Sequence, residues 1–216
     1  MMPGGALQRF ARRAAEASLA VAETCDLCTE RVPEHHRHLM ESGTRQVACV
    51  CQACALLFAR PAASLGKYRL IPDRHLYLSD FVMSDAEWDS LRVPVGMCFI
   101  VVGADGPLGF YPGPMGATEA AVDPSTWAAL GNRYPILRGI DPDVEALLVN
   151  RARGAKDYFI APIDTCFSLA GLIRTRWRGL SGGNDVWVEI GQFFDALRKR
   201  SRIPPAESAS CQSATT

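Results

Sequence analysis

The chain has 216 residues, 48% of them hydrophobic and 21% charged, close to an average soluble domain, so neither general disorder nor a fibrous class is indicated. Twenty-three basic residues balance twenty-three acidic ones, which removes the whole-protein positive field that non-specific nucleic-acid binding draws on. The longest apolar run, Val93 to Ala104, falls well short of the roughly 20 residues a bilayer crossing needs.

Residues 1–24 contain an apolar series at helical spacing, Leu7, Phe10, Ala11, Ala14, Ala17 and Val21, with Arg9, Arg12, Arg13 and Glu16 on the other side. This predicts an amphipathic helix over 7–22. The arginines interrupt any clean apolar stretch, which argues against a signal peptide and for the cytoplasm. In a reducing compartment, closely spaced cysteines hold metal or do redox chemistry more often than they form disulfides.

Residues 25–65 form the next segment. Cys25-Asp-Leu-Cys28 and Cys51-Gln-Ala-Cys54 are two Cys-x-x-Cys pairs with 22 residues between them, near the range typical of structural zinc sites. Two residues between thiolates let the chain curl so that both sulfurs face one ion, and two such pairs complete a tetrahedral Zn2+ shell with no ligand position left open. Between them, Arg37–Met40 and Arg45–Ala48 are strand-like runs around the turn residues Glu41-Ser-Gly-Thr44, and Ala53–Ala59 favours helix. The second pair therefore sits at a helix start, where the positive end of the dipole stabilises thiolate charge. Knuckle, hairpin and helix together describe a treble-clef-like zinc module.

Cys49 adds a fifth thiol, either an alternative ligand or, as the simpler reading, a small side chain packed inward. His35, His36 and His38 also lie between the pairs. Successive strand residues point to opposite faces, so only His36 and His38 can share one, and the plainer reading is a polar hairpin edge rather than a second metal site.

Arg60–Gly66, rich in proline, glycine and small residues, predicts a linker, with a boundary near residue 65 and an α+β domain over 66–202. Ser84, three residues before Glu87, matches a capping box opening a helix with Trp88 and Leu91. Met97–Val102 and Leu108–Tyr111 flank Gly103-Ala-Asp-Gly106, which suits a hairpin. The order then recurs. Asp123 and Pro124 open a helix bearing Trp127 and Leu130, and strands near Ala146–Asn150 and Asp157–Ala161 flank Arg153-Gly-Ala-Lys156, a faint internal duplication. Two amphipathic helices follow, one with Cys166, Leu169, Ala170, Ile173 and Trp177 on its apolar face, the other with Val186, Trp187, Ile190, Phe193, Phe194 and Leu197. Residues 203–216, with Cys211, have too little apolar content to order themselves. The fold class is thus α+β: a treble-clef-like zinc module followed by a mainly antiparallel sheet of hairpins covered by helices.

Other candidate chemistry is sparse. Gly113-Pro-Met-Gly-Ala-Thr-Glu119 has glycines but no phosphate-loop ending and reads as a structured connection. Arg174, Arg176 and Arg178 precede Gly179-Leu-Ser181-Gly182-Gly183, so the arginines and the loop's N–H groups could contact an anion or a partner. The alternative is a solvated helix face and a tight turn. Asp141, Asp143 and Glu145 read as a turn rather than a cation site, and no catalytic serine, histidine and acid set stands out.

Five segments carry a resemblance: Cys25-Asp-Leu-Cys28, His36-Arg-His-Leu39, Cys49-Val-Cys-Gln-Ala-Cys-Ala-Leu-Leu-Phe58, Leu147-Leu-Val-Asn-Arg-Ala-Arg-Gly154 and Trp177-Arg-Gly-Leu-Ser-Gly-Gly183. From about Cys25 to Arg200 the chain resembles an uncharacterised bacterial family encoded beside actinobacterial-type [NiFe] uptake hydrogenases. The resemblance implies an accessory role in assembling or maturing the hydrogenase, with a hydrogenase subunit or maturation factor as protein partner. Nickel-delivery maturation factors also carry paired Cys-x-x-Cys zinc modules, but their nickel site uses an N-terminal Met-His, whereas this chain begins Met1-Met2-Pro3. The leading expectation is a non-enzymatic zinc protein that binds a protein partner. The rival is a thiol redox or electron-transfer factor, with iron as the alternative metal, using Cys49, Cys51 and Cys54.

Overall fold

The computed structural model describes residues 23–179 and 182–205. The helix expected over 7–22, Ser181, and residues 206–216 with Cys211 lie outside the described residues. The chain divides into two compact units between Leu70 and Ile71.

In the first unit, β1 (Arg37–Glu41) and β2 (Val47–Val50) form the expected hairpin, followed by helix α1 (Gln52–Phe58), the short helix α2 (Pro61–Ser64) and β3 (Tyr68–Leu70). The sheet runs β2-β1-β3 with antiparallel pairing throughout. The stretch expected as a linker is therefore partly helical and leads into a strand of the first sheet. Proline and small residues there open a helical turn, as proline does at a first helical position. Strand β1 is also the middle strand rather than an edge. Cys25, Leu39, Val50, Cys54 and Ala55 form the core, ringed by Leu27, Val32, Phe58, Tyr68 and Leu70. A core this small needs an additional staple to hold a fold.

The second unit is built on a six-stranded antiparallel sheet. Its strands are β4 (Leu76–Tyr77), β5 (Met97–Gly103), β6 (Gly106–Gly113), β7 (Gly116–Ala121), β8 (Glu145–Asn150) and β9 (Asp157–Pro162), in the order β4-β9-β8-β5-β6-β7. Strand β7 replaces the connection expected after Gly113. Gly113 and Gly116 face each other across Pro114-Met115, so the glycines serve a tight hairpin, and pairing with β6 overrides the weak strand propensity of Gly-Ala-Thr-Glu-Ala-Ala.

Helices cover both faces. Ser84 caps α3 (Asp85–Ser90) through a complete capping box, and Asp123 caps α4 (Pro124–Arg133), whose first residue is Pro124. Cys98, Ile100, Leu147, Val149, Tyr158 and Ile160 share one core with Leu91, Leu130 and Leu137. On the opposite face Phe99 meets Phe167 of α5 (Ile163–Arg176), and Phe159 meets Phe194 of α6 (Gly183–Arg200). This double cover explains why β8 and β9 are buried at all twelve positions and read as continuous apolar runs rather than alternating strands.

The helix–hairpin order α3-β5-β6 and α4-β8-β9 has a spatial counterpart. The four strands lie β6-β5-β8-β9, with the two first strands side by side and antiparallel, the arrangement a two-fold-related pair takes. Glu145, fully buried at the start of β8, is held by a fork from Arg74 and accepts the Asp141 N–H at 2.9 Å. The acidic cluster before β8 is thus a turn whose one buried carboxylate is paired.

Candidate metal centre

The first cysteine pair sits in a knuckle. Cys25 N–H donates to the Glu30 carbonyl at 2.7 Å, Thr29 N–H to the Cys25 carbonyl at 2.8 Å, and Thr29 takes a left-handed φ of 63°. That turn curls Cys25 and Cys28 to one side. Asp26 fastens the knuckle to β2: its N–H donates to the Cys49 carbonyl at 2.9 Å, and its Oδ2 accepts the Cys49 N–H at 2.7 Å. The second pair opens α1, where Cys51 is the N-cap residue and its Sγ accepts the Cys54 N–H at 3.5 Å. The hairpin between them carries β2 straight into α1 and so delivers the second pair to the first.

The four donor sulfurs of Cys25, Cys28, Cys51 and Cys54 all lie within 4.8 Å of one another, and Cys28 Sγ is 3.6 Å from Cys51 Sγ. A disulfide would bring sulfurs to about 2.05 Å. A tetrahedron with metal–sulfur bonds of about 2.3 Å has edges of about 3.8 Å, close to the 3.6 Å of the Cys28–Cys51 pair and inside the 4.8 Å that bounds the others. Cys25 and Cys54 are buried, Cys51 is half-buried and Cys28 is exposed.

The electrostatics lead the same way. Burial raises the Cys25 thiol, but backbone hydrogen bonds at Cys51, Leu27 and Cys28 outweigh it and bring the thiol down to about 6. Burial and the neighbouring thiols of Cys28, Cys51 and Cys25 push Cys54 up to about 12. Four thiols this close oppose one another's ionisation, and a bound cation removes that opposition. The cluster is able to hold a metal ion in a closed four-thiolate shell, a donor set that suits zinc or iron.

Cys49 does not join this group. It stands opposite His38 in the β1–β2 register, and His36, His38 and Cys49 each place one donor atom within 4.8 Å of the others. Sequence periodicity puts His36 and His38 on one face, but bringing Cys49 to them requires the hairpin register, and a turn confined to residues 41–44 would have set His38 opposite Val47 instead. His35 is exposed. Among the described residues these two clusters are the groups of three or more such donors that converge.

The arginine segment is arranged differently. Arg176 Nε pairs with Glu189 Oε2 at 3.1 Å across the α5–α6 corner, while Arg174 and Arg178 are exposed. Gly182 shapes the turn: its carbonyl accepts the Arg178 N–H at 3.2 Å, and its φ of 85° precedes the first turn of α6. Cys166 and Cys98 are fully buried, with burial raising both thiols, which makes them inert packing residues.

No curated protein and no solved structure significantly matches the chain. A family profile does match, over residues 24–201, from the knuckle through the last helix, and its description is a family of unknown function. The chain, with its four-cysteine cluster inside the matched span, belongs to that family, DUF5947.

Proposed function

We propose that this protein is a zinc-binding, non-enzymatic accessory factor of the cytoplasm that docks a protein partner, and that it serves the assembly or maturation of a [NiFe] hydrogenase. The observation that carries the zinc reading is the sulfur geometry: four thiols, all supplied by the chain, lie within 4.8 Å of one another, a convergence that suits a closed structural shell. Docking is supported by Leu56 and Leu57, 66% and 59% exposed on the helix that carries Cys54, and by Leu65, 96% exposed. Large apolar side chains left in water beside a rigid metal module are what a partner helix or loop covers. No helix among the described residues is long and apolar enough to cross a membrane. The hydrogenase setting rests on the family resemblance.

The test combines composition and capture. Native protein purified without added metal should carry one tightly held zinc per four-cysteine site. Co-expressed with the hydrogenase large subunit and its maturation factors, it should co-purify with one of them, and Leu56→Asp with Leu57→Asp should abolish capture while retaining the zinc. Iron with visible absorbance in place of zinc would make electron transfer the better reading. Capture unaffected by the leucine changes would remove the docking surface.

A further inference from the structure

The hairpin that brings the two cysteine pairs together carries a second set of donors. His38 and Cys49 are direct register partners in the antiparallel β1–β2 pair, and directly opposed residues project to the same face with Cβ atoms about 5 Å apart. His36, two residues before His38, falls on that side as well; the two rings stand 4.7 Å apart at 60°. One donor atom from each of the three residues lies within 4.8 Å of the others.

His36 supplies the independent observation. Its side chain is only 5% exposed. Its Nδ1 lies 2.8 Å from the Pro33 carbonyl oxygen, which can only accept, so in the neutral imidazole Nδ1 carries the hydrogen and Nε2 holds the lone pair. Nε2 is buried with no hydrogen-bond partner. An unsatisfied buried polar atom costs about 1–3 kcal/mol, and a backbone carbonyl behind the far nitrogen is how metal-ligating histidines are held. Negative charge stands close by, with Asp26 Oδ2 at 2.7 Å from Cys49 N and Glu23 Oε2 at 3.7 Å from His36 Nδ1.

We propose that His36, His38 and Cys49 form a second metal site, separate from the four-cysteine shell, for a transition-metal ion of borderline or soft character. Two imidazoles and one thiolate suit such an ion. Binding deprotonates the Cys49 thiol, the proton leaving to solvent as the metal–sulfur bond forms. Three protein ligands leave a tetrahedral ion one open position, so this ion exchanges and accepts an outside ligand, whereas the four-thiolate ion is enclosed. The inference does not rest on which metal fills the four-cysteine shell.

The experiment titrates the reduced, metal-stripped full chain with Co2+, whose thiolate charge-transfer absorption grows with the number of cobalt–sulfur bonds. Two equivalents should bind, the second adding the absorption of a single thiolate and paramagnetically shifted imidazole N–H signals. Cys49→Ser, with unchanged circular dichroism, should lose the second equivalent and keep the first at full intensity. His36→Gln should weaken the second ion by about 10- to 100-fold or more. Because variants of the first site are expected to unfold the hairpin, the Cys49→Ser result in the otherwise intact chain decides. A stoichiometry of one, a second equivalent that survives Cys49→Ser, or a first band diminished by Cys49→Ser would each overturn the proposal, the last by placing Cys49 in the four-cysteine shell.

Discussion

Glu87 shows how much one carboxylate can organise. Its Oε2 accepts the Ser84 N–H at 2.7 Å and the Ser84 hydroxyl at 2.8 Å, closing the capping box of α3, while its Oε1 pairs with Arg133 Nη2 of α4 at 2.7 Å. The Arg133 guanidinium, helped by the Ser84 N–H and hydroxyl and opposed by burial, holds the Glu87 carboxyl down to about 2, against 4.5 for an unperturbed side chain. A folded-state value below the unfolded one means the interaction contributes fully above about pH 4.5 and fades as the pH falls towards 2. Glu87→Gln should therefore destabilise the second unit by about 1–2 kcal/mol at pH 7, and the gap to wild type should shrink by more than half at pH 3. Urea denaturation followed by tryptophan fluorescence checks this, since Trp88, Trp127, Trp177 and Trp187 all lie in that unit; a gap constant from pH 7 to pH 3 would show the carboxylate charge to be irrelevant. Single residues of this kind were legible in the sequence because their signals are local: Ser84 and Glu87 three apart, Asp123 before Pro124, the cysteines of each pair three apart. The meeting of Cys49 with His36 and His38 was not, because it depends on which residues face each other across a hairpin.

At the scale of elements, the α5–α6 corner turns on Gly182. Its φ of 85° is a left-handed conformation, and a Cβ there would lie 2.9 Å from Val186 Cγ1 and 3.0 Å from two ring carbons of Trp177. Trp177 in turn stands against Trp187 at 6.0 Å, so the glycine lets two aromatic residues close the corner. Gly179, in the same turn, has φ 61° with nothing near its missing Cβ. Gly179→Ala should cost about 1 kcal/mol from the backbone alone, and Gly182→Ala about 2–4 kcal/mol, the excess being the steric term. Equal losses in thermal unfolding would mean that the close approach is relieved without effort. The glycines were visible in the sequence as a turn; that one of them is needed for contact and the other only for conformation was not. The same limit explains β7, whose residues lack strand propensity and are held by pairing with β6, and β3, which follows a proline- and glycine-punctuated stretch. Strands defined by a neighbour rather than by their own pattern escape a reading of periodicity.

For the whole molecule, the two units differ in what holds them. The second has a sheet covered on both faces, with Phe99, Ile100, Leu147, Leu148, Phe159 and Ile160 at 1% exposure or less, enough apolar burial to fold without help. Among its described residues the first has Leu39, Met40, Val50 and Ala55 as its buried hydrophobic side chains other than the cysteines, and Cys25 and Cys54 of the four-cysteine cluster belong to its core. On the zinc-bound reading proposed above, removing the ion removes the centre of the unit and leaves four close thiols that oppose one another's ionisation. Structural zinc contributes about 10–16 kcal/mol to the folding of small cysteine modules at pH 7, far more than so small a core supplies. A strong chelator under reducing conditions should accordingly abolish hydrogen-exchange protection at the β1–β2 amides, Arg37–Glu41 and Val47–Val50, while β5, β8 and β9 stay protected and the tryptophan-detected unfolding midpoint does not move. Cys25→Ser and Cys51→Ser should each reproduce the chelator's effect in metal-containing buffer. Protection of β1 and β2 that survives metal removal would mean that the hairpin stands on its own hydrogen bonds, and the four thiols would then be free for redox chemistry rather than committed to structure.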